Sequence, residues 1–240
     1  MINALTIGLC VMLAASAVAA SEPVLPETRE LTGHAYDRRT GVLLYSEHHY
    51  QRFRDGKTIE HRVDYRTPDG TRFATKTLDY SQHPYAPAFR TLDLRDGYVE
   101  GADHTAEGYW LFNGPEASPT RVLVRRSDDL VSDSGFDAYV RDHLPALIEG
   151  QTLSFRLAVA GRLADYAFKA RALERERPLG RETLTIRVTP DSLLRFVVDP
   201  IDVTYHIESR QLLRYVGISN LRSPSGERYD TRIDFDPPAP

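Results

Sequence analysis

The chain has 240 residues and a formal net charge of −4, and only three of its cations are lysines. A nucleic-acid-binding protein needs a clustered basic face, so this charge balance argues against that role. The one cysteine is Cys10. The chain beyond it therefore has no thiol for a disulfide, a thiolate metal ligand or a cysteine nucleophile.

The first twenty residues have the pattern of an export signal. Residues 2–20 carry no charged side chain, and the apolar run ends in the small-residue sequence Ala17-Val18-Ala19-Ala20. This pattern predicts a secretory signal peptide cleaved near Ala19 or Ala20. Acylation of Cys10 is the weaker alternative, because Leu9 stands where a small residue is expected. A membrane helix needs about 20 apolar residues, and the apolar run at the start is shorter than that, with none following it. We therefore expect a protein that does not span the membrane and that resides in the periplasm.

After the signal, residues 21–30 contain Pro23 and Pro26 and are predicted to form an extended leader. The remainder, 31–240, is predicted to be a single β-rich domain, a size that can bury a core without disulfides.

Period-two alternation predicts a three-stranded meander over residues 42–80. The turns Arg54-Asp55-Gly56 and Thr67-Pro68-Asp69-Gly70 each suit a type I turn closed by a glycine. The register that follows pairs Phe53 with Lys57, Thr67 with Thr71, His49 with His61, Glu47 with Val63, Tyr65 with Phe73 and Val63 with Thr75.

The same turn form recurs at Ser223-Pro224-Ser225-Gly226 and predicts a C-terminal hairpin that pairs Leu221 with Tyr229 and Gly217 with Ile233. Residues 201–207 and 229–235 alternate in the same way. Further strands are predicted at 88–99, 107–113, 120–126, 151–160, 165–174, 182–189 and 193–199.

One segment has helical spacing instead. Residues 132–148 place an apolar stripe on one side, with Asp133 or Ser134 as the candidate N-cap, Arg141 and Asp142 on the charged back, and Pro145 in the last turn. We predict one helix, kinked or shortened by Pro145, whose stripe covers the sheet. The stripe consists of Phe136, Tyr139, Val140, His143, Leu144 and Leu147.

These elements predict a mainly β fold, in which a long antiparallel sheet curls into an open barrel around its apolar face beneath one covering helix. A two-sheet β-sandwich would use the same alternation and is the alternative. An export signal, a long meander and a helix set into the sheet resemble the LolA/LolB-like periplasmic half-barrels. Residues 203–221 also resemble segments of uncharacterised bacterial periplasmic proteins. The first resemblance implies a curved sheet that holds an acyl chain.

Histidines form the sharpest cluster of reactive side chains. In the predicted register His49 faces His61, and Glu47 lies two residues along the same face. Imidazoles beside a carboxylate are ligands that zinc or copper selects, so these three residues are the candidate metal site. The alternative is that these residues form a cross-strand polar cluster with a structural role.

Nothing in the sequence has the pattern of nucleophilic catalysis, since no Gly-x-Ser-x-Gly elbow occurs. We therefore expect a non-enzymatic protein, without a cofactor, that binds a lipid or other apolar ligand or a protein of the cell envelope. Candidate cavity residues, chosen by aromatic type, are Trp110, Phe112, Tyr65 and Phe155. A metal-dependent or hydrolytic envelope enzyme that uses the histidines, and a purely structural module, are the alternatives.

Overall fold

The computed structural model describes residues 27–176, 182–191 and 199–236. The predicted signal peptide and most of the predicted strand 193–199 lie outside these ranges. The first half of the described chain is a run of eight strands: β1 (Glu27–Asp37), β2 (Leu43–Arg54), β3 (Lys57–Arg66), β4 (Arg72–Asp79), β5 (Ala88–Asp93), β6 (Tyr98–His104), β7 (Tyr109–Pro115) and β8 (Thr120–Val124). β1 begins inside the segment predicted as an extended leader.

The second half begins with a short strand and two helices, and then returns to strands. Its elements are β9 (Leu130–Ser132), α1 (Phe136–Asp142), α2 (Leu144–Ile148), β10 (Leu153–Val159), a 3₁₀ turn (Ala160–Arg162), β11 (Ala164–Glu176), β12 (Thr183–Pro190), β13 (Ile201–His206), β14 (Leu212–Arg222) and β15 (Arg228–Phe235). None of the described helices is both long and apolar enough to cross a bilayer.

All the strands belong to one sheet, in the order β8-β7-β6-β5-β4-β3-β2-β1-β15-β14-β13-β12-β11-β10-β9. The chain starts in the middle, runs by hairpins to one edge, crosses to the other edge and returns to pair β15 with β1. All neighbouring strands are antiparallel except β9 and β10. The prediction of a curved, open antiparallel sheet is therefore confirmed, and the sandwich alternative is wrong.

The two edges of the sheet approach each other without pairing in the described part of the chain. The 3₁₀ turn packs against β6 and β7, and the Asn113 side-chain amide donates a hydrogen bond to the Ala160 carbonyl at 2.9 Å. Curling in this way buries apolar side chains on the inner face of the sheet, whereas the edge strand β8 has only Val124 buried.

The predicted single helix is two short ones. Pro145 lacks a backbone N–H and restricts the residue before it, so helical bonding is interrupted at His143, the residue between α1 and α2. Gly135 holds the N-cap position, so the prediction of Asp133 or Ser134 is wrong. The apolar stripe is confirmed, because Val140, Leu144 and Leu147 are buried against the strands of the second half. Arg141, predicted on the charged side of the helix away from the sheet, is instead largely buried beside Asp137.

The predicted register of β2 and β3 is wrong by two residues. Asp55 and Gly56 both have positive φ, 51° and 73°, so the loop is a two-residue turn, and a bulge follows at Arg52/Phe53. His49 consequently lies opposite Val63, and Glu47 lies opposite Tyr65. A shift of two keeps every side chain on its predicted face.

The other two predicted turns are confirmed, and bulges again change the register beyond them. The Gly70 N–H bonds the Thr67 carbonyl at 2.8 Å, and the Gly226 N–H bonds the Ser223 carbonyl at 2.9 Å. A bulge at Tyr65/Arg66 pairs Tyr65 with Ala74 instead of Phe73 and Val63 with Lys76 instead of Thr75, and one after Ile218 pairs Gly217 with Thr231 instead of Ile233.

Candidate functional site

A row of inward-facing side chains, most of them polar, crosses six neighbouring strands, β2 to β7. Residues directly opposite each other in paired strands share a face of the sheet. Successive register pairs join His49 to Val63, Val63 to Lys76, Lys76 to Thr91, Thr91 to Glu100 and Glu100 to Asn113. We call these six residues the polar row. Five of its six members are polar, although this is the face that the sheet buries.

At one end of the row Glu47, His49 and His61 form a hydrogen-bonded chain. His49 Nε2 lies 3.0 Å from Glu47 Oε2, and His49 Nδ1 lies 2.9 Å from His61 Nε2. An ionised carboxylate only accepts, so His49 presents N–H at Nε2. A neutral His49 then accepts at Nδ1 from His61 Nε2–H, which leaves the Nδ1 of a neutral His61 as an acceptor.

The histidine at the end of this chain is held neutral. Burial lowers the pKa of His61 well below its ordinary value of 6.5, and the nearby His49 and Lys76 lower it further. Both effects disfavour a second positive charge on the inner face. His61 is therefore a neutral hydrogen-bonding group at neutral pH.

The middle of the polar row contains buried groups without partners. Lys76 is 9% exposed and has no carboxylate within ion-pair distance among the described residues; its ammonium lies 5.2 Å from the centre of the Phe89 ring. The Thr91 hydroxyl and Glu100 Oε1 are buried and have no hydrogen-bond partner within the same described part. Unpaired buried polar groups are costly, and each requires an explanation.

The other oxygen of Glu100 ties the two halves of the sheet together. Arg228 Nη2 donates to Glu100 Oε2 at 2.5 Å, and Arg228 Nη1 donates to the Asn220 carbonyl. The pair is closed off by Gly161 of the 3₁₀ turn, where a Cβ would stand 2.2 Å from Arg228 Nη2. A side chain at that position would displace the guanidinium from its place beside Glu100.

Asp133 lies next to this ion pair. Burial raises the pKa of Asp133 to about 6, while Lys76 opposes the rise and Glu100 adds to it. The Asn220 side-chain amide donates to Asp133 Oδ2 at 3.4 Å. Glu100, Asp133, Lys76 and Arg228 thus form a network of two acids and two bases on the inner face.

The structure brings together the three residues predicted as metal ligands but arranges them as a hydrogen-bonded chain. The two imidazole nitrogens point at each other rather than at a common point. Within the described residues, no group of three or more His, Cys, Asp or Glu side chains is placed to hold a metal ion. Glu47, His49 and His61 therefore form a chain of hydrogen bonds on the inner face of the sheet.

The four predicted cavity aromatics lie in three different places. Tyr65 packs with Tyr45 and Phe73 in the core of the first half. Phe155 belongs to the core of the second half. Trp110 and Phe112 alternate with the inward-facing residues of β7 and lie on the outer face of the sheet, where Arg121 covers both rings. They do not line one common cavity.

Sequence reasoning missed Lys76, Thr91, Glu100 and Arg228. One signal was available, because Lys76 stands between Ala74 and Leu78 in the alternation of β4, on the apolar side. The pairing of Glu100 with Arg228 joins residues 128 positions apart and had no local signal.

The two best-defined grooves of the described structure open on the outer face. One has a volume of about 540 Å³ and is lined mainly by outward-facing side chains of β1 to β4, Glu30, Glu60 and Arg62 among them. The other, of about 500 Å³, lies beside it over β1 to β3. Both grooves include Tyr50.

No protein-family model matches the chain, and no curated protein matches it. Among solved structures it is similar to a crystal structure described as a β-barrel-like protein of domain of unknown function DUF1849 from Brucella abortus. The identity is 7% and the TM-score 0.48, with 89% of this chain and 98% of the other covered. The class of this protein is defined by its own strand order: a mainly β protein whose described strands form one large curved sheet that hydrogen bonds between them do not close.

Proposed function

We propose that the protein is an exported, non-enzymatic binding protein that holds a small amphipathic ligand against the polar row. The observation that carries this proposal is that two buried groups of the row, the Thr91 hydroxyl and Glu100 Oε1, have no hydrogen-bond partner among the described residues and lie beside the buried Lys76. A purely structural module gains nothing from burying a hydroxyl and a carboxylate oxygen without hydrogen-bond partners. A ligand that supplies the missing partners would offset that cost.

The row defines the chemistry of the ligand's polar group. Lys76 only donates hydrogen bonds, an ionised Glu100 only accepts them, and the Thr91 hydroxyl does both. The matching group carries an acceptor for Lys76 and a hydroxyl or amine donor for Glu100 Oε1. The resemblance to LolA/LolB-like half-barrels is consistent with this ligand class.

Native mass spectrometry of the mature protein, isolated from the periplasm without detergent and compared with the denatured sample, tests the proposal. We expect an additional noncovalent mass in the wild type. Lys76→Met should lose it, whereas Lys57→Met, which removes an exposed lysine at the start of β3, should keep it. A bound mass that survives in Lys76→Met, or no bound mass in any sample, would contradict the proposal.

A stability measurement separates a binding role from a structural one. Removing an unpaired buried charge should leave the free energy of unfolding of Lys76→Met unchanged or raise it by about 1 kcal/mol or more. A large loss of stability in this variant would instead identify Lys76 as a structural residue.

The second candidate function is hydrolysis, favoured by the Glu47–His49–His61 chain. A neutral imidazole backed by a second imidazole and a carboxylate can act as a general base toward water. An activated ester is the probe, and the rate with His61→Gln is compared with that of His206→Gln, a histidine outside the cluster that contacts Ser209. Equal rates in both variants and the wild type would eliminate this candidate.

A further inference from the structure

The outer face of the same strands carries an arginine cluster around one carboxylate. Asp64 is 3% exposed, and its Oδ2 lies 3.7 Å from Arg62, 4.0 Å from Arg66 and 3.7 Å from Arg72. Three guanidinium groups therefore surround a single negative charge. Asp64 holds the arginines close together, and the cluster keeps a positive excess.

Within the described part of the chain, few hydrogen-bond donors of these arginines are used. The distances to Asp64 exceed those of hydrogen bonds, so the contacts are ionic only. Arg66 donates once, from Nη1 to the Gly70 carbonyl at 3.0 Å, and the Arg62 guanidinium lies over the Tyr50 ring at 4.6 Å. A guanidinium has five N–H donors, so each arginine retains several for a ligand.

The groove of about 500 Å³ next to the cluster has a lining without a carboxylate. Its potential donors are Arg66, His34, His48, Ser46 and Tyr50. The larger neighbouring groove differs, because Glu30 and Glu60 are in its wall. Of the three arginines around Asp64, Arg66 lines the smaller groove, and the carboxylate of Asp236 lies 3.9 Å from His34 in its lining.

We propose that this smaller groove binds an oxoanion of the phosphate or sulfate class, with Arg66 and His48 as the main contacts. The planar guanidinium fork matches such an anion with two parallel hydrogen bonds. The Ser46 hydroxyl also lines this groove, 3.1 Å from His48 Nε2. The site is on the opposite face from the polar row and is independent of the function proposed for that row.

Titration calorimetry with inorganic phosphate and flotation with phospholipid vesicles test the site and identify the source of the anion. One vesicle preparation contains phosphatidylglycerol and the other only phosphatidylcholine. The variants are Arg66→Gln and His48→Gln. The matched control is Arg121→Gln, which removes the same charge from the outer face at the edge strand β8, where Arg121 pairs with Asp103.

We expect binding that weakens as salt is added, because the contacts are charged and exposed. Arg66→Gln should weaken binding about tenfold or more, the scale of one lost charge-assisted hydrogen bond, while Arg121→Gln leaves it within about twofold. Binding of phosphate alone assigns the site to a free anion, and binding of phosphatidylglycerol vesicles assigns it to a lipid headgroup. Binding to neither probe, or equal losses in Arg66→Gln and Arg121→Gln, would overturn the proposal.

Discussion

The two halves of the sheet use their inner faces differently. From β10 to β13 the inner face is a continuous apolar core, closed by α1 and α2. From β2 to β7 the same face carries the polar row, with Glu100 and Lys76 buried in it. One sheet thus combines a half that is packed for stability with a half whose buried groups are incompletely partnered. The ion pair of Glu100 and Arg228 joins the two halves.

Breaking that ion pair should have the largest effect. Arg228→Met leaves the Glu100 carboxylate buried without compensation, and we expect a loss of about 3–5 kcal/mol in the free energy of unfolding. Urea denaturation measures it. Adding Glu100→Gln should recover part of the loss. The control is Arg156→Met, which breaks an exposed pair with Asp165 and should cost at most about 1 kcal/mol. Equal losses of unfolding free energy in Arg228→Met and Arg156→Met would show that the Glu100–Arg228 ion pair does not stabilise the contact between the halves.

The apolar half is probed by Leu147→Ala in α2, since Leu147 is fully buried in its core. The cavity left behind should lower the free energy of unfolding by about 2–5 kcal/mol. Leu94→Ala, at an exposed position, should change it by no more than about 0.5 kcal/mol. Where Leu147→Ala remains folded, we expect it to retain the ligand as well as the wild type does, which would show that the two halves act independently. A parallel loss of ligand would show that they do not.

Gly161→Ala tests the contact that closes the join between the halves. The new Cβ would meet the Arg228 guanidinium, and overpacking of this kind costs about 1–3 kcal/mol. In the Arg228→Met background the obstacle is reduced, so the added cost should shrink. A cost that stays the same in both backgrounds would show that the strain has another source.

The smallest effects concern pH, and the two groups involved act in opposite directions. His61 has a folded-state pKa well below its ordinary 6.5, so its contribution is present above about pH 6.5 and is lost as the pH falls. Asp133 has a pKa raised from 3.8 to about 6, so its contribution is present at low pH and is lost as the pH rises through 6. Each slope is at most about 1.4 kcal/mol per pH unit.

Urea midpoints at pH 7 and pH 5 separate the two contributions. Relative to the wild type, His61→Gln should gain stability on going from pH 7 to pH 5, and Asp133→Asn should lose it. The same sign of change in both variants would show that one of the two pKa shifts has been assigned in the wrong direction.

The faces of the strands could be predicted because alternation is a local property. His49, His61 and Glu47 share a face whatever the register, provided that it shifts by an even number of residues. Their contact was therefore predicted even though the predicted pairing of His49 with His61 was wrong. Bulges such as the one at Arg52/Phe53 depend on how the strands twist against their neighbours, and the residues at the bulge carry no distinctive pattern.

The sequence by itself determined a mainly β fold, the inward and outward faces of β2 and β3, two of its turns and the apolar stripe of the helical segment, because each depends on residues close together in the chain. Only the tertiary structure decided that Lys76, Thr91 and Glu100 form one buried row and that Arg228 reaches Glu100 across the curled sheet. The physical reason is that a buried charge is defined by its surroundings, and those surroundings come from strands far apart in the sequence.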